Sequence, residues 1–214
     1  MTGEHHITVA RTLRYYTRGE ISAQKPLLTM LHGYAQHPGF FIRKVEDLVS
    51  DGWGIVAPEG LHRFYVSGSS GRVGASWMTK EDRLIDIDDH IAYLEQLHLT
   101  EPMAFAEQRV LLGFSQGAAA AVRFFCASNV HFERLVLWAG SFPPDVGLPE
   151  FGKRFESSQI DLVIGVNDDI VPPTVYDQLQ RELETAGAAV RLHHFEGKHD
   201  LHLPTLRKVL GIED

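Results

Sequence analysis

The chain has almost nothing with which to staple itself covalently. Its 214 residues include one cysteine, Cys126, so no internal disulfide can form and the fold needs no oxidising compartment. Cys126 sits in an apolar run and reads as a small core residue. Positive charge is also in deficit: 20 Lys and Arg stand against 28 Asp and Glu, for a net charge of −8. With no Lys/Arg cluster, nucleic acid and anionic membrane are excluded as expected partners, since both are recognised through basic patches. No apolar stretch approaches the roughly 20 residues of a membrane-spanning helix, so no stable membrane insertion is expected. Met1 to Val9 lacks an apolar run of signal-peptide length, and a cytoplasmic location is the resulting expectation. Internal repeats and low-complexity tracts are missing too.

What is present is the composition of a globular protein, 44% hydrophobic and 22% charged. The length suits one sizeable core better than two, so residues 1–214 are expected to form one domain. Strand-like and helix-like runs alternate, which predicts an α/β fold: a mostly parallel sheet with helices on both faces. Strands are expected at Pro26–Leu31, Trp53–Ala57, Arg109–Gly113, Glu133–Trp138, Gln159–Gly165 and Ala189–Phe195, with an extended entry over Ile7–Tyr16. Helical spacing covers Phe40–Leu48, Arg83–Leu97, Val175–Leu183 and Leu203–Leu210. In Arg83–Leu97 the stripe is Leu84, Ile87, Ile91, Leu94 and Leu97. Two stretches break the rhythm. Pro58–Lys80 is long, glycine-containing and expected to be a loop walling a pocket. Gly140–Gly152 carries Pro143, Pro144 and Pro149. Neither has room for a large lid domain.

The chemistry centres on Gly113-Phe114-Ser115-Gln116-Gly117. A clean strand precedes it and a small-residue helix follows, beginning Ala118 to Ala121. Strand, sharp turn and helix form the context in which a serine is lifted above a sheet edge as a nucleophile. A Cβ at Gly113 or Gly117 would collide with neighbouring backbone. A serine hydroxyl needs a base, and the base needs an orienting acid. Both are supplied in later turns that follow strands. Asp168 and Asp169 lie after the strand ending at Gly165, and His199 lies after the strand ending at Phe195. Such strand ends are where open α/β sheets bind ligands. His193 and His194 point to opposite faces of their strand, and His202 is displaced toward the last helix. The spacing of these histidines matches no compact metal motif, so no metal is expected. His32, at a strand end, reads as a structural histidine rather than a base.

These residues resemble the α/β-hydrolase superfamily, and within it the small carboxylesterase, acyl-protein-thioesterase and phospholipase-type branch. The resemblance rests on Leu31-His32-Gly33, the Gly113–Gly117 motif, Gly165-x-x-Asp168-x-x-Val171-Pro172 and Glu196-Gly197-x-His199. It implies Ser115 as nucleophile, Asp168 as acid and His199 as base. It also implies an oxyanion hole from the backbone N–H groups of Gln116 and Tyr34. Ala118 and Tyr34 depart from the pattern by standing where glycines are frequent, and Tyr34 narrows the acyl site. Trp77 and Phe142 are candidate substrate-binding residues, with core packing the alternative for each.

The expected function is hydrolysis of short-chain carboxylic esters or thioesters through an acyl-enzyme. The substrate is a small molecule, no cofactor is needed, and a homodimer stays open. A lysophospholipase, a lactonase, a small peptidase and a non-catalytic binding protein on the same fold are the alternatives.

Overall fold

The computed structural model describes residues 2–148, 151 and 158–212. One seven-stranded sheet organises them, in the order β1-β3-β2-β6-β7-β8-β9. Its strands are β1 (Tyr15–Arg18), β2 (Leu27–Leu31), β3 (Gly54–Pro58), β6 (Arg109–Phe114), β7 (Arg134–Trp138), β8 (Gln159–Gly165) and β9 (Val190–Phe195). Only β1 is antiparallel to its neighbour, pairing Tyr15 with Pro58 through to Arg18 with Ile55. The remaining pairs are parallel. All of β2 and β3 is buried, which is why they read as unbroken apolar runs rather than alternating ones.

The sheet grows outward from β2 in both directions, toward β3 on one side and toward β6 through β9 on the other. Right-handed crossovers running in opposite directions must leave their helices on opposite faces. The helices obey this. On one face α2 (Arg83–Leu99) packs on α3 (Gln116–Ala127), and α4 (Pro173–Thr185) packs on β8 and β9. On the other, α1 (Pro38–Phe41) and a 3₁₀ stretch (Ile42–Val49) lie against β3, and α5 (Leu203–Leu210) packs on that stretch. None of the described helices is long and apolar enough to cross a membrane.

Helix α3 approaches the sheet unusually closely. A Cβ at Gly113 would stand 2.3 Å from the Gly117 carbonyl oxygen, and one at Gly117 would stand 2.2 Å from the Leu31 carbonyl oxygen. Both are impossible contacts, so the sequence must place glycine on either side of the serine if the helix is to start over β2 and β6.

Several sequence expectations are corrected. Pro58–Lys80 is not a plain loop. It contains β4 (His62–Tyr65) and β5 (Val73–Ser76), an antiparallel hairpin in which Phe64 pairs with Gly74. Ala75 bridges in turn to Gln36. The entry segment is a strand only over Tyr15–Arg18. Phe40–Leu48 is one turn of α-helix followed by the 3₁₀ stretch, not a continuous helix. In α2, Leu84 is exposed, and the buried face is shared by Ile87, Leu94 and Leu97 with the polar Asp86, His90 and His98. In the irregular stretch after β7, Pro149 and Gly152 lie outside the described residues. Its Asp145 is held by Arg83 at 2.7 Å and by two bonds from the buried Arg123, at 2.7 and 2.8 Å.

Candidate active site

Ser115 occupies the junction of β6 and α3 with φ 54° and ψ −119°. A side-chain-bearing residue adopts this conformation only under strain. The turn is over-determined by its surroundings. The Ser115 N–H donates to the Trp138 carbonyl at 2.9 Å, and its own carbonyl accepts from the Ala118 N–H at 3.0 Å. The side chain caps nothing, and among the described residues its hydroxyl makes no hydrogen bond. It stands at the N-terminus of a 12-residue helix, where unsatisfied amides and the helix dipole favour negative charge.

The turn after β8 carries Asp168. Its side chain is buried, and both carboxylate oxygens are in use. Oδ1 accepts from the N–H groups of Ile170 (2.9 Å) and Val171 (2.8 Å). Oδ2 accepts from His199 Nδ1 at 2.9 Å. His199 is delivered by the turn after β9, which is bound to the β8 turn by the Asn167 N–H and Gly197 carbonyl at 2.9 Å. Trp138 Nε1 fixes the next residue through the Asp200 carbonyl, also at 2.9 Å. The His199 ring packs on Phe114, the residue before the serine, with centroids 5.0 Å apart. An imidazole whose Nδ1–H is claimed by a carboxylate keeps Nε2 as its basic nitrogen, the tautomer that general-base chemistry needs. The adjacent Asp169 is exposed, and none of the recorded contacts among the described residues involves its side chain.

The other histidines are committed elsewhere. His193 pairs with the buried Asp161 at 2.7 Å and His194 lies 3.6 Å from Asp177. His202 bonds Thr205 and stacks on Phe195. His32 is fully buried under the loop after β2. It accepts the Gly60 N–H on Nε2 at 2.9 Å, so Nδ1 carries the proton and donates to the Gly33 carbonyl at 2.8 Å. Burial pushes its pKa down to about 4. It is a neutral strut.

That strut supports the loop Gly33–Gln36, which passes close to the serine: a Cβ on Gly33 would lie 3.1 Å from the Ser115 Cβ. The Gly33 N–H is taken by Gln36 Oε1 at 2.9 Å and the Ala35 N–H by the Ala75 carbonyl at 2.9 Å. Between them, the N–H of Tyr34 has no partner among the described residues, and neither has the N–H of Gln116. The Tyr34 side chain is exposed and packs on Phe64 of the hairpin, 5.3 Å between ring centroids.

Residues not singled out by motif hold this arrangement. The Gln116 amide donates to Ser76 Oγ and the Met78 carbonyl, both at 3.0 Å, and accepts from the Trp77 N–H at 3.1 Å. The hairpin therefore ties the residue after the serine to the loop after β2. Only the glutamine itself is visible in the motif; its anchors depend on a hairpin that periodicity does not reveal. Trp77 is fully buried, donates Nε1–H to the His32 carbonyl at 2.8 Å and packs on the His32 and His90 rings. It braces the loop from beneath. Phe142 is partly buried, edge-on to Phe151 at 4.8 Å.

Comparison with known proteins agrees with this geometry. The family model described as serine hydrolase (FSH1) matches residues 21–210. No curated protein matches significantly. Among solved structures, acyl-protein thioesterase 2 from Zea mays is similar at a TM-score of 0.72 and 20% identity, over 92% of this chain and 96% of that one. Esterase PE8 superposes at 0.71 with 23% identity, over 94% and 99%. A carboxylesterase from Mesorhizobium loti gives 0.71 and 15%, over 93% and 94%. At these identities the likeness is one of fold.

Proposed function

We propose that this chain, which belongs to the serine hydrolase (FSH1) family, hydrolyses short-chain carboxylic esters or thioesters through a Ser115–His199–Asp168 triad. The observation that carries the reading is the occurrence together, at the C-terminal ends of parallel strands of one sheet, of a strained, uncapped serine at a helix N-terminus and a histidine whose Nδ1 is 2.9 Å from a buried, fully bonded carboxylate. In the first half-reaction His199 Nε2 takes the Ser115 proton as Oγ attacks the carbonyl carbon. The carbonyl π pair moves onto oxygen, and the N–H groups of Tyr34 and Gln116 receive the negative charge. The intermediate collapses, His199 gives its proton to the departing alcohol or thiol, and an acyl-enzyme remains. Water then repeats the sequence, with His199 as base and Ser115 as leaving group. Asp168 stays ionised throughout and holds the ring. No cofactor enters this scheme.

The short-chain preference rests on the lack, among the described residues, of any inserted cap and on the exposed Tyr34 beside the loop after β2. Each buried methylene contributes only about 0.8 kcal/mol, so an open cleft gains little from a long chain. A p-nitrophenyl ester series from acetate to palmitate tests both parts of the proposal. Activity should plateau within the first few carbons and vanish in Ser115→Ala. A steady rise to palmitate, or a rate jump at a lipid interface, would contradict the short-chain reading. Near-normal turnover by the folded Ser115→Ala variant would contradict the triad.

A further inference from the structure

A cavity of about 500 Å³ opens beside Phe64, the residue that packs on Tyr34. Arg14, His37, Arg63, Phe64, Tyr65 and Val73 line it. In a chain of net charge −8, two arginines around one cavity locally reverse the sign of the surface. The buried Glu59 beneath does not cancel them. Both of its oxygens are engaged by Arg14, from Nε at 2.9 Å and from a terminal nitrogen at 2.6 Å. Arg14 is thereby locked in place, and it also reaches His37 Nε2 at 3.3 Å. Arg63 differs. Its nearest approach to Glu59 is through Nε, at 3.6 Å, and among the described residues its two terminal nitrogens donate no hydrogen bond. One Glu against two Arg leaves one positive charge, and it belongs to the arginine with an unfilled fork. His37 adds none: burial, and then the Arg14 charge, hold its pKa below the ordinary value.

The cavity is linked to the candidate active site through the loop after β2. Phe64 faces the cavity and packs on Tyr34. His37 lies three residues after Tyr34, where it caps α1 by accepting the Gly39 N–H at 3.1 Å. A planar guanidinium fork pairs bidentately with a carboxylate, and the Phe64, Tyr65 and Val73 walls suit a short hydrocarbon tether. We propose that this cavity is a subsite for a carboxylate borne by the substrate, with Arg63 as the residue that selects it. The proposal rests on the esterase reading and narrows its substrates to esters or thioesters carrying a second, anionic end.

The test compares p-nitrophenyl esters from butyrate to octanoate with p-nitrophenyl hemiesters of succinate through suberate, in wild type, Arg63→Gln and Arg63→Lys. One hemiester length should be favoured over the neutral ester of equal length. Arg63→Gln should cut the hemiester-to-neutral ratio of kcat/KM about tenfold, and Arg63→Lys should restore part of it. An unchanged ratio, or equal losses on both esters, would overturn the proposal and leave Arg63 a structural partner of Glu59. If neither ester is cleaved, the esterase reading fails and the cavity is judged by calorimetry with glutarate alone. Binding that weakens about tenfold in Arg63→Gln retains the site, and binding that is absent or independent of Arg63 overturns it. Competition by inorganic phosphate stronger than by glutarate would overturn the carboxylate assignment in favour of a phosphoryl group.

Discussion

Replacing Ser115 by glycine should abolish turnover and make the protein more stable. The backbone there has φ 54° and ψ −119°, close to the first central position of a type II′ turn, which glycine dominates. A Cβ-bearing residue held in such a region costs about 1–3 kcal/mol. Glycine releases that strain but gains freedom in the unfolded chain, an opposing effect of about 0.5–1 kcal/mol. The Ser115 hydroxyl caps nothing, so losing it removes no stabilising bond to the helix. At the middle of both ranges the balance is a gain of about 1.3 kcal/mol, or about 3–5 °C in Tm for a chain of this size. Ser115→Ala keeps the Cβ and the strain and should melt within about 2 °C of wild type. Calorimetry of the three proteins at equal pH and concentration decides. A Ser115→Gly protein no more stable than Ser115→Ala would refute the idea that this turn stores strain for function.

Other outcomes follow from the same geometry. Asp168→Asn should lower kcat by about four orders of magnitude, because the amide cannot hold the His199 tautomer, whereas Asp169→Asn, an exposed change, should stay near wild type; equal activities would reassign the acid. Stability should fall steeply with acid. Burial holds His32 and His90 down to about 4 and His98 to about 3, while all three titrate near 6.5 when unfolded. Folded pKa values below unfolded ones mean the unfolded chain binds more protons in this window, so stability is complete above about pH 6.5 and drains away toward pH 4. The loss is about 1.4 kcal/mol per pH unit for each histidine. Guanidinium midpoints that match at pH 7.5 and pH 5 would contradict this. Gln116→Ala, which cuts the hairpin loose from α3, should reduce kcat more than it lowers Tm; the reverse order would make the amide purely structural.

Much of the fold was legible because its signals are local. Strand Gln159–Gly165 and helix Leu203–Leu210 have the bounds the sequence predicts, since apolar runs and flanking Gly or Pro mark them. The serine turn was legible because Gly113 and Gly117 are sterically obligatory there. The hairpin was not. Its strands have four residues each, with charge and glycine inside them, and their identity depends on pairing with each other and on the Ala75–Gln36 bridge. The burial of Trp77 follows from that hairpin and was hidden with it. Helix α2 misled for another reason: Asp86, His90 and His98 occupy its buried face, bonded to His62, the Asp86 carbonyl and Thr29 respectively. Apolar periodicity cannot see a buried face that is partly polar.

The central claim is that Ser115 is an activated nucleophile, and covalent trapping addresses it most directly. A fluorophosphonate probe reacts with a serine only where a base removes its proton and an oxyanion hole receives the developing charge. Intact-mass and peptide mass spectrometry should show one adduct per chain, on Ser115, lost in Ser115→Ala and greatly slowed in Asp168→Asn. Absence of an adduct on the folded wild-type protein, or an adduct on another residue, would contradict the account.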